Sequence, residues 1–502
     1  MSIAKKLASQ AAIYGVSSIL GRVVTYLLVS VYTRVFSREE YGIVTELYAY
    51  VAFLNIVFTY GMETAYFRFA NRPGTDRRLL YDQVLSTLLV SSLALAGLLA
   101  LLAGPLAALL HYEGQEKYFL YLALIMGIDA AVALPFARLR LENRARKFAG
   151  LRLLNVAVNV GLNLFFIKLC PDVLAGRYLP ALRPLVELVY NPGFGVGYVF
   201  LANLLANALY LPLLWRELSD FRFRLPGLAA LRPLLTYAYP LMLMGLAGTV
   251  NEMLSRVLLK YWLPVGFYPG LSNQAALGIF GACYKLSIFM SLVIQAFRYA
   301  AEPFFFAQST DKNSPATFAL ILKWFTLCCA LIFVVISVNL EDFGLLVGPA
   351  FRAGLAIVPI LLLANLFFGV YLNLSIWFKL TDKTYFGTYI SFGGAALTVL
   401  LNFFLIPLLG YVGSAWATLA CYATMAAVCW LLGERHFPIP YPVARLLTWL
   451  ALAVGLVLMS QWVVPGNYWL RHALHALLCL AFVGLVALVE RPRRSTTAAL
   501  RA

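Results

Sequence analysis

The phrase "LNLFFIK" at residues 162–168 returns as "LNFFLIP" at residues 401–407, and each copy precedes a stretch rich in glycine and other small residues. Those stretches are "GFGVGYVFLANLLANAL" at 193–209 and "GYVGSAWATLACYATM" at 410–425. Small residues at this density are typical of membrane helices that approach one another closely. The duplication predicts that the chain contains two copies of one structural unit.

A second correspondence supports the repeat. The stretch "EYGIVTELYAY" at 40–50 aligns with "ALGIFGACYKL" at 276–286 and matches Gly42 to Gly278, an offset of 236 residues (278 − 42). The two Leu-Asn phrases are 239 residues apart (401 − 162), and loops of unequal length explain the difference. We therefore predict an internal repeat that covers most of the chain.

Composition places both copies in a membrane. The 502 residues are 62% hydrophobic and 12% charged, with a mean hydropathy of +0.82, which is more apolar surface than a soluble core of this length can bury. Apolar runs of about 20 residues recur, and each is long enough to cross about 30 Å of hydrocarbon as a helix. We predict about fourteen spans, at residues 11–35, 41–66, 82–104, 118–138, 149–169, 194–215, 233–261, 275–300, 317–339, 354–379, 385–407, 411–433, 443–464 and 470–489.

The predicted fold is an all-α, polytopic integral membrane protein, because no span alternates polar and apolar residues as the strands of a membrane barrel do. Most of the 39 Lys and Arg fall in alternate connections. This positive-inside bias predicts that both termini are cytoplasmic. The same distribution argues against a nucleic-acid partner in spite of the net charge of +17. Basic residues that share one inner connection are Arg68, Arg72, Arg77 and Arg78.

Counting spans divides the chain into two pseudo-symmetric six-helix lobes, residues 1–215 and 233–433. A cytoplasmic linker at 216–232 joins them, and two additional helices with a basic cytoplasmic tail follow at 434–502. Since six is even, both lobes begin on the cytoplasmic side, as parallel repeats do. Two such bundles enclose a cavity and rock about it, which is the mechanical requirement for transport by alternating access.

Three cations lie deep within predicted spans, away from their ends, namely Arg22, Arg256 and Lys285. A charge at the centre of a span costs roughly 2.5–3.5 kcal/mol on insertion scales, so each is expected to face a cavity or a partner. Arg22 and Arg256 lie in the opening helices of the two repeats, and two guanidinium groups with an ammonium suit a diphosphate. Local pairing of Arg256 with Glu252, four residues earlier, is the alternative.

Acids within spans are candidates for coupling transport to H⁺ or Na⁺, because a desolvated carboxylate can take up and release a proton. The candidates are Glu46, Asp129 and Glu252. No cofactor or metal site is predicted. The seven cysteines show no paired spacing, and the pair His472 and His475 lacks further ligands.

Three stretches resemble one known family. They are "AAIYGVSSILGRVVTYLLVSVYTRVFSREEYGIV" at 11–44, "LLTYAYPLMLMGLAGTVNEMLSRVLLKYWL" at 234–263 and "LGIFGACYKLSIFMSLVIQAFRYAAEPFFF" at 277–306. Their clearest marks are Tyr41-Gly42, Gly278 followed by Tyr284-Lys285-Leu286, and Glu302-Pro303. In these features the chain is similar to the bacterial polysaccharide biosynthesis proteins, the Wzx-type O-antigen flippases of the MOP (MATE-like) exporter superfamily.

The resemblance implies a flippase of the bacterial inner membrane. Its substrate would be an undecaprenyl-diphosphate-linked oligosaccharide, moved from the cytoplasmic to the periplasmic leaflet for surface polysaccharide synthesis. Cationic residues of the first and seventh helices would line the cavity, and by position these are Arg22 and Arg256. Membrane lipids and the polysaccharide polymerase or glycosyltransferase machinery are the expected partners. Relatives often have twelve helices, whereas we predict fourteen, as in the similar lipid II flippases.

Two other functions compete with this one. An ion-coupled multidrug antiporter of the same superfamily would favour an acidic or apolar cavity, which the three cations oppose. A membrane glycosyltransferase or polysaccharide polymerase would need a large external loop with catalytic acids. The longest predicted outer connection, at 171–195, offers only Asp172 and Glu187. The chain is therefore expected not to be an enzyme.

Overall fold

The computed structural model describes residues 19–24, 26–308, 314–381, 383–463 and 466–490. These residues form helices joined by loops and turns, and they contain no β-strand. The predicted all-α membrane architecture is confirmed. The start of the first predicted span, the side chains of Glu302 and Pro303, and the basic tail beyond residue 490 lie outside the described part of the chain.

The main helices follow the predicted spans in order and almost in length. Those of the first half are α1 (residues 19–24 and 26–35), α2 (Arg38–Ala70), α3 (Arg77–Leu101), α4 (Glu116–Leu141), α5 (Ala145–Leu174), α6 (Gly197–Leu213) and α7 (Leu228–Trp262). Those of the second half are α8 (Asn273–Leu286 with Ile288–Gln308), α9 (Ser314–Val338), α10 (Ile357–Leu380), α11 (Tyr385–Leu409), α12 (Tyr411–His436), α13 (Val443–Trp462) and α14 (Tyr468–Val489).

The structure supports fewer membrane crossings than the sequence predicted. Among the described residues, 11 helices are long and apolar enough to cross a membrane, or 12 if the two parts of α8 form one span. The helix α6 belongs to the shorter class of 10–17 residues, and α1 is described only from residue 19. The predicted count of fourteen is therefore not confirmed.

Polar caps set the starts of two helices a few residues before the apolar runs. At α2, the Ser37 hydroxyl accepts from the Glu40 amide at 3.1 Å, and the Glu40 carboxylate accepts from the Ser37 amide at 2.8 Å. At α3, Asp76 accepts from the amides of Arg78 and Leu79. Such caps satisfy the amides that a helix leaves unpaired at its start. They explain why α2 and α3 begin earlier than the predicted spans.

The described chain forms two compact units. Unit 1 holds the residues up to Lys285 together with Val347–Ala353 and Ser391–Ala417. Unit 2 holds Leu286–Leu346, Gly354–Ile390 and the residues from Thr418 onward. The lobes at 1–215 and 233–433 stay a prediction.

In unit 1 the two Leu-Asn phrases perform the same task. Asn163 of α5 accepts a hydrogen bond from the Tyr32 hydroxyl of α1 at 2.7 Å, and Asn402 of α11 donates to the Ser255 hydroxyl of α7 at 3.1 Å. Each asparagine also donates to the carbonyl four residues earlier, at 2.8 Å. Both side chains are buried, so the amides cannot bond water instead. Each phrase therefore ties its helix to the opening helix of its own repeat.

The matched glycines Gly42 and Gly278 also meet in unit 1. A methyl group at Gly42 would lie 2.2 Å from the Gln274 carbonyl oxygen, and one at Gly278 would lie 2.0 Å from the Arg38 carbonyl oxygen. The two contacts are reciprocal, since Gln274 stands 236 residues after Arg38 (274 − 38), the same offset that relates the glycines. Contacts of this kind mark a two-fold relationship. We name this contact of α2 with α8 the glycine seam.

A buried carboxylate fastens the connection after α6 to unit 1. The Glu217 side chain is 2% exposed and pairs with Arg144 and Lys147, both at 2.7 Å. Burial opposes its ionisation, but the hydrogen bonds and charges of Lys147 and Arg144 outweigh burial and hold the pKa of Glu217 below its usual value. The charged network therefore fixes the N-terminal end of α5.

Unit 2 contains a similar hub at the end of α14. Glu490 is paired with Lys323 of α9 at 2.8 Å and with Arg445 of α13 at 2.7 Å, and it accepts from the Trp449 indole at 3.0 Å. The Lys323 bond and charge outweigh burial and keep the pKa of Glu490 below its usual value. The two additional C-terminal helices are thus anchored to α9.

Candidate functional site

Arg256 is held by an aromatic ring and not by an acid. It lies on α7 with 8% of its surface exposed, and its guanidinium carbon is 4.2 Å from the centre of the Tyr284 ring. One guanidinium nitrogen also contacts the Met253 sulfur. The contacts of Arg256 among the described residues are therefore with Tyr284 and Met253, in place of the local pairing with Glu252 weighed from the sequence. The ring attracts the cation without neutralising it, which leaves a full charge for an anion.

Lys285 lies beside this arginine on α8. Its ammonium group interacts electrostatically with Arg256, Glu252 and Arg22, in decreasing order of strength. The side chain is exposed by surface area although protein surrounds and desolvates it. Lys285 therefore lies among the charges of Arg256, Glu252 and Arg22.

Lys285 lies within electrostatic range of both other predicted cations. Arg22 of α1 and Glu252 of α7 have exposed side chains and lie within electrostatic range of Lys285. The four charges Arg22, Arg256, Lys285 and Glu252 sum to +2 (three positive, one negative). We name these residues the cation cluster. A net positive site with two guanidinium groups can hold a phosphate or diphosphate by charge-assisted hydrogen bonds.

An apolar cavity lies elsewhere in the same unit. Its volume is about 460 Å³, and its lining carries no polar surface. An apolar cavity of about 150 Å³ holds a benzene molecule, so this one would hold on the order of three times as many carbon atoms. Residues that line it are Tyr50, Phe53, Leu54, Leu106, Leu110, Phe119, Leu254 and Val257.

Glu46, a predicted coupling acid, has a cationic partner that the sequence analysis missed. Its side chain is fully buried on α2, and Lys260 of α7 donates to both carboxylate oxygens, at 2.9 and 3.0 Å. The same ammonium donates to the Leu110 carbonyl at 2.9 Å. Lys260 was passed over because it stands at the apolar end of "SRVLLKYW", where a lysine ordinarily reaches the interface.

Polar side chains from three elements complete this pair. Tyr50 donates to the Glu46 carboxylate at 2.8 Å, and Tyr112 donates to it as well. Gln274 of α8 donates to Glu46 at 3.3 Å and to the Tyr112 hydroxyl at 3.1 Å. A buried charge is tolerated only with this degree of compensation. In this conformation Glu46 is therefore a paired carboxylate.

Asp129, the second predicted coupling acid, belongs to a polar network of α4, α5 and α6. It lies apart from the residues of α7 and α8 in the cation cluster. It accepts a hydrogen bond from Asn207 at 2.8 Å, and Asn207 accepts from Asn155 at 3.0 Å. Arg152 interacts with it electrostatically. A carboxylate among amides is suited to a proton or a small cation. Its role, like that of Glu46 and Glu252, stays a prediction. The described residues contain no group of three metal-ligating side chains.

The arrangement of the helices is similar to that of solved membrane transporters. Lipid II flippase MurJ in an inward closed conformation matches with a TM-score of 0.70 and 12% identity, over 95% of this chain and 99% of that one. An inward-facing multidrug resistance MATE family transporter of the MOP superfamily matches with a TM-score of 0.65 and 14% identity, over 82% of this chain and 94% of that one. At these identities the likeness shows the fold alone.

The sequence family is consistent with that fold. The family described as polysaccharide biosynthesis protein matches residues 31–173, from the end of α1 through α5. None of the curated proteins matches the sequence. Over these residues the resemblance drawn from the sequence, to polysaccharide biosynthesis proteins, is confirmed.

Proposed function

We propose that this protein is a flippase that moves an undecaprenyl-diphosphate-linked oligosaccharide from the cytoplasmic to the periplasmic leaflet by alternating access. The product would supply synthesis of O-antigen, lipopolysaccharide or capsule. The family match over residues 31–173 and the fold shared with a lipid II flippase and MATE transporters support a lipid-linked substrate. The protein would act in the bacterial inner membrane, with both termini cytoplasmic.

The observation that carries the proposal is the cation cluster. Arg256 is buried beneath Tyr284, Lys285 interacts with it, and Arg22 interacts with Lys285. Positive charge concentrated in this way among membrane helices is costly unless an anion binds. A diphosphate joined to two organic groups carries about two negative charges, which matches the cluster's net charge of +2. The diphosphate is the one part common to all such substrates, so a site for it tolerates different glycans.

The apolar cavity in unit 1 suits the lipid part of the substrate. Its 460 Å³ volume and wholly apolar lining accept hydrocarbon and reject sugar hydroxyls, which would lose hydrogen bonds there. Energy for directed transport would come from H⁺ or Na⁺ at Asp129, whose amide neighbours can accommodate either ion. No protein cofactor is required for such a mechanism.

Binding of a prenyl diphosphate to the purified protein in nanodiscs tests the proposal. We expect Arg256→Ala to weaken binding by about tenfold or more, because a charged hydrogen bond contributes roughly 1.5–3 kcal/mol. The affinity of Arg256→Lys for prenyl diphosphate should lie between those of the wild type and Arg256→Ala, since lysine keeps the charge and loses the bidentate geometry. The matched control is Arg471→Ala, which removes a cation paired with Glu341 in unit 2. Equal affinity of all four proteins would refute the diphosphate site.

A multidrug antiporter is the second candidate, and the apolar cavity favours it. It predicts tight binding of lipophilic cations to the wild type and no loss of that binding in Arg256→Ala. The same nanodisc preparation measures both ligands. If the wild type binds the lipophilic cation but does not bind prenyl diphosphate, the antiporter function would be favoured over the flippase function.

A further inference from the structure

The Glu46–Lys260 pair lies where α2, α7 and α8 meet at one end of unit 1. Glu46 lies in the third turn of α2, Lys260 lies two residues before the end of α7, and Gln274 is the second residue of α8. All three therefore lie near the helix ends that are predicted to face outside. The connection after α3 closes the group, through the Leu110 carbonyl and the Tyr112 hydroxyl.

We propose that the Glu46–Lys260 pair is a latch that holds α2 and α7 together at this end and opens once in each transport cycle. The inference rests on the alternating-access function proposed above. It assigns a role to a lysine that the cation cluster does not use, and it gives Glu46 a role other than ion coupling.

The energetics of buried pairs favour a latch over a permanent fastening. Replacing a buried ion pair with apolar residues is often neutral or stabilising, so a pair is not needed merely to hold two helices together. An apolar contact resists opening to water, whereas the two charges of a pair are hydrated when they separate. Each charge of the pair is thus satisfied in two states. In the closed state it is satisfied by its partner, and in the open state it is satisfied by water. A contact that must form and break repeatedly requires this property.

The latch is not inherited from the repeat. At the offset of 236 residues that relates the halves of the glycine seam, Ala282 occupies the position equivalent to Glu46 (46 + 236). The seam itself is reciprocal, with glycine on both sides. The same helices therefore pack without a carboxylate on the second side. This asymmetry indicates a function for the pair beyond packing.

Single and double substitutions separate a latch from a structural pair. Glu46→Gln leaves a buried ammonium and Lys260→Met leaves a buried carboxylate, and either charge gains hydration if the latch opens. The double variant Glu46→Gln/Lys260→Met has no charge to hydrate and should stay closed. The exchange Glu46→Lys/Lys260→Glu keeps a pair and should behave as the wild type or close to it.

The native thiol of Cys283 reports the opening. It is fully buried on α8 in unit 1, where its sulfur lies 3.4 Å from the Phe351 carbonyl oxygen. With the other six cysteines replaced, a sulfonated maleimide applied to right-side-out or everted vesicles measures water access from each side. We expect the single variants to label faster than the wild type by about tenfold or more from one side, and the double variant to label more slowly.

Lys323→Met is the matched control, because it breaks a buried pair with Glu490 at nearly the same distance, 2.8 Å, within unit 2. It should leave labelling of Cys283 unchanged. Unchanged labelling in both single variants, or equal acceleration by the control, would overturn the latch. If a single variant does not fold, the exchanged and double variants still decide, since a structural pair predicts no difference between them. Labelling requires no substrate and therefore tests the latch separately from the proposed transport function. If the labelling results are as expected but the protein moves no lipid-linked oligosaccharide, only the proposed transport function is refuted.

Discussion

The glycine seam between α2 and α8 gives the sharpest prediction about stability. In Gly278→Ala the new methyl carbon would lie 2.0 Å from the Arg38 carbonyl oxygen, whereas ordinary contact begins at 3.4 Å. The helices must therefore separate by about 1.4 Å (3.4 − 2.0), because the obstructing atom belongs to backbone and cannot rotate away. Overpacking of this kind costs about 3 kcal/mol. At about 2 °C per kcal/mol for a large chain, we expect the apparent Tm to fall by about 6 °C.

The matched control is Gly97→Ala in α3, where a methyl group would meet no atom within 4 Å. Thermal unfolding of both variants in the same detergent should show the loss at Gly278 and none at Gly97, where alanine is the better helix former. The reciprocal contact adds a second check. Once the helices have separated for one methyl group, Gly42→Ala costs less, so the double variant should lose less stability than the sum of the singles. A Tm for Gly278→Ala equal to that of Gly97→Ala would refute the seam.

Three further outcomes are expected. Tyr284→Leu should lose prenyl diphosphate affinity several-fold and Tyr284→Phe should lose less, because phenylalanine keeps the ring that holds Arg256; equal affinities of the two variants would contradict this. Glu217→Gln should lower the free energy of unfolding at neutral pH and should reduce the amount of stability that is lost on acidification, as measured by unfolding from pH 7 to pH 3. The folded pKa of Glu217 is depressed, so its stabilisation is present above its unfolded pKa and disappears as the pH falls through the folded pKa; an unchanged acid profile would exclude it. Asp129→Asn should abolish dependence of transport on a proton or sodium gradient while leaving prenyl diphosphate binding intact, and retained dependence would remove Asp129 from coupling.

Hydropathy alone predicted the fold class and nearly every main helix. The bounds of α2 and α3 differ because Ser37 and Asp76 cap them with polar residues, which a hydropathy window excludes. The predicted count of fourteen spans is not confirmed among the described residues, where the apolar run of α6 forms one of the shorter helices of 10–17 residues. The repeat was visible in the glycines Gly42 and Gly278, since a close helix contact leaves no other choice of residue.

The sequence predicted Arg22, Arg256 and Lys285 as site residues but did not predict which side chains surround them. Arg22, Arg256 and Lys285 are conspicuous because charges are rare inside apolar spans. Sequence spacing instead offered Glu252 as the partner of Arg256, and only the structure shows that Tyr284 of another helix takes that place. Lys260 was missed for the same reason. Its partner Glu46 lies 214 residues away, and no local pattern connects the two.

Leaflet distribution of lipid-linked oligosaccharide in cells tests the flippase function most directly. The comparison is between wild type and Arg22→Ala or Arg256→Ala, with the amount of protein in the membrane matched and Arg471→Ala as the control. The account predicts that the oligosaccharide accumulates on the cytoplasmic leaflet in both cluster variants and not in the control. Normal export in both cluster variants, at matched protein levels, would contradict it.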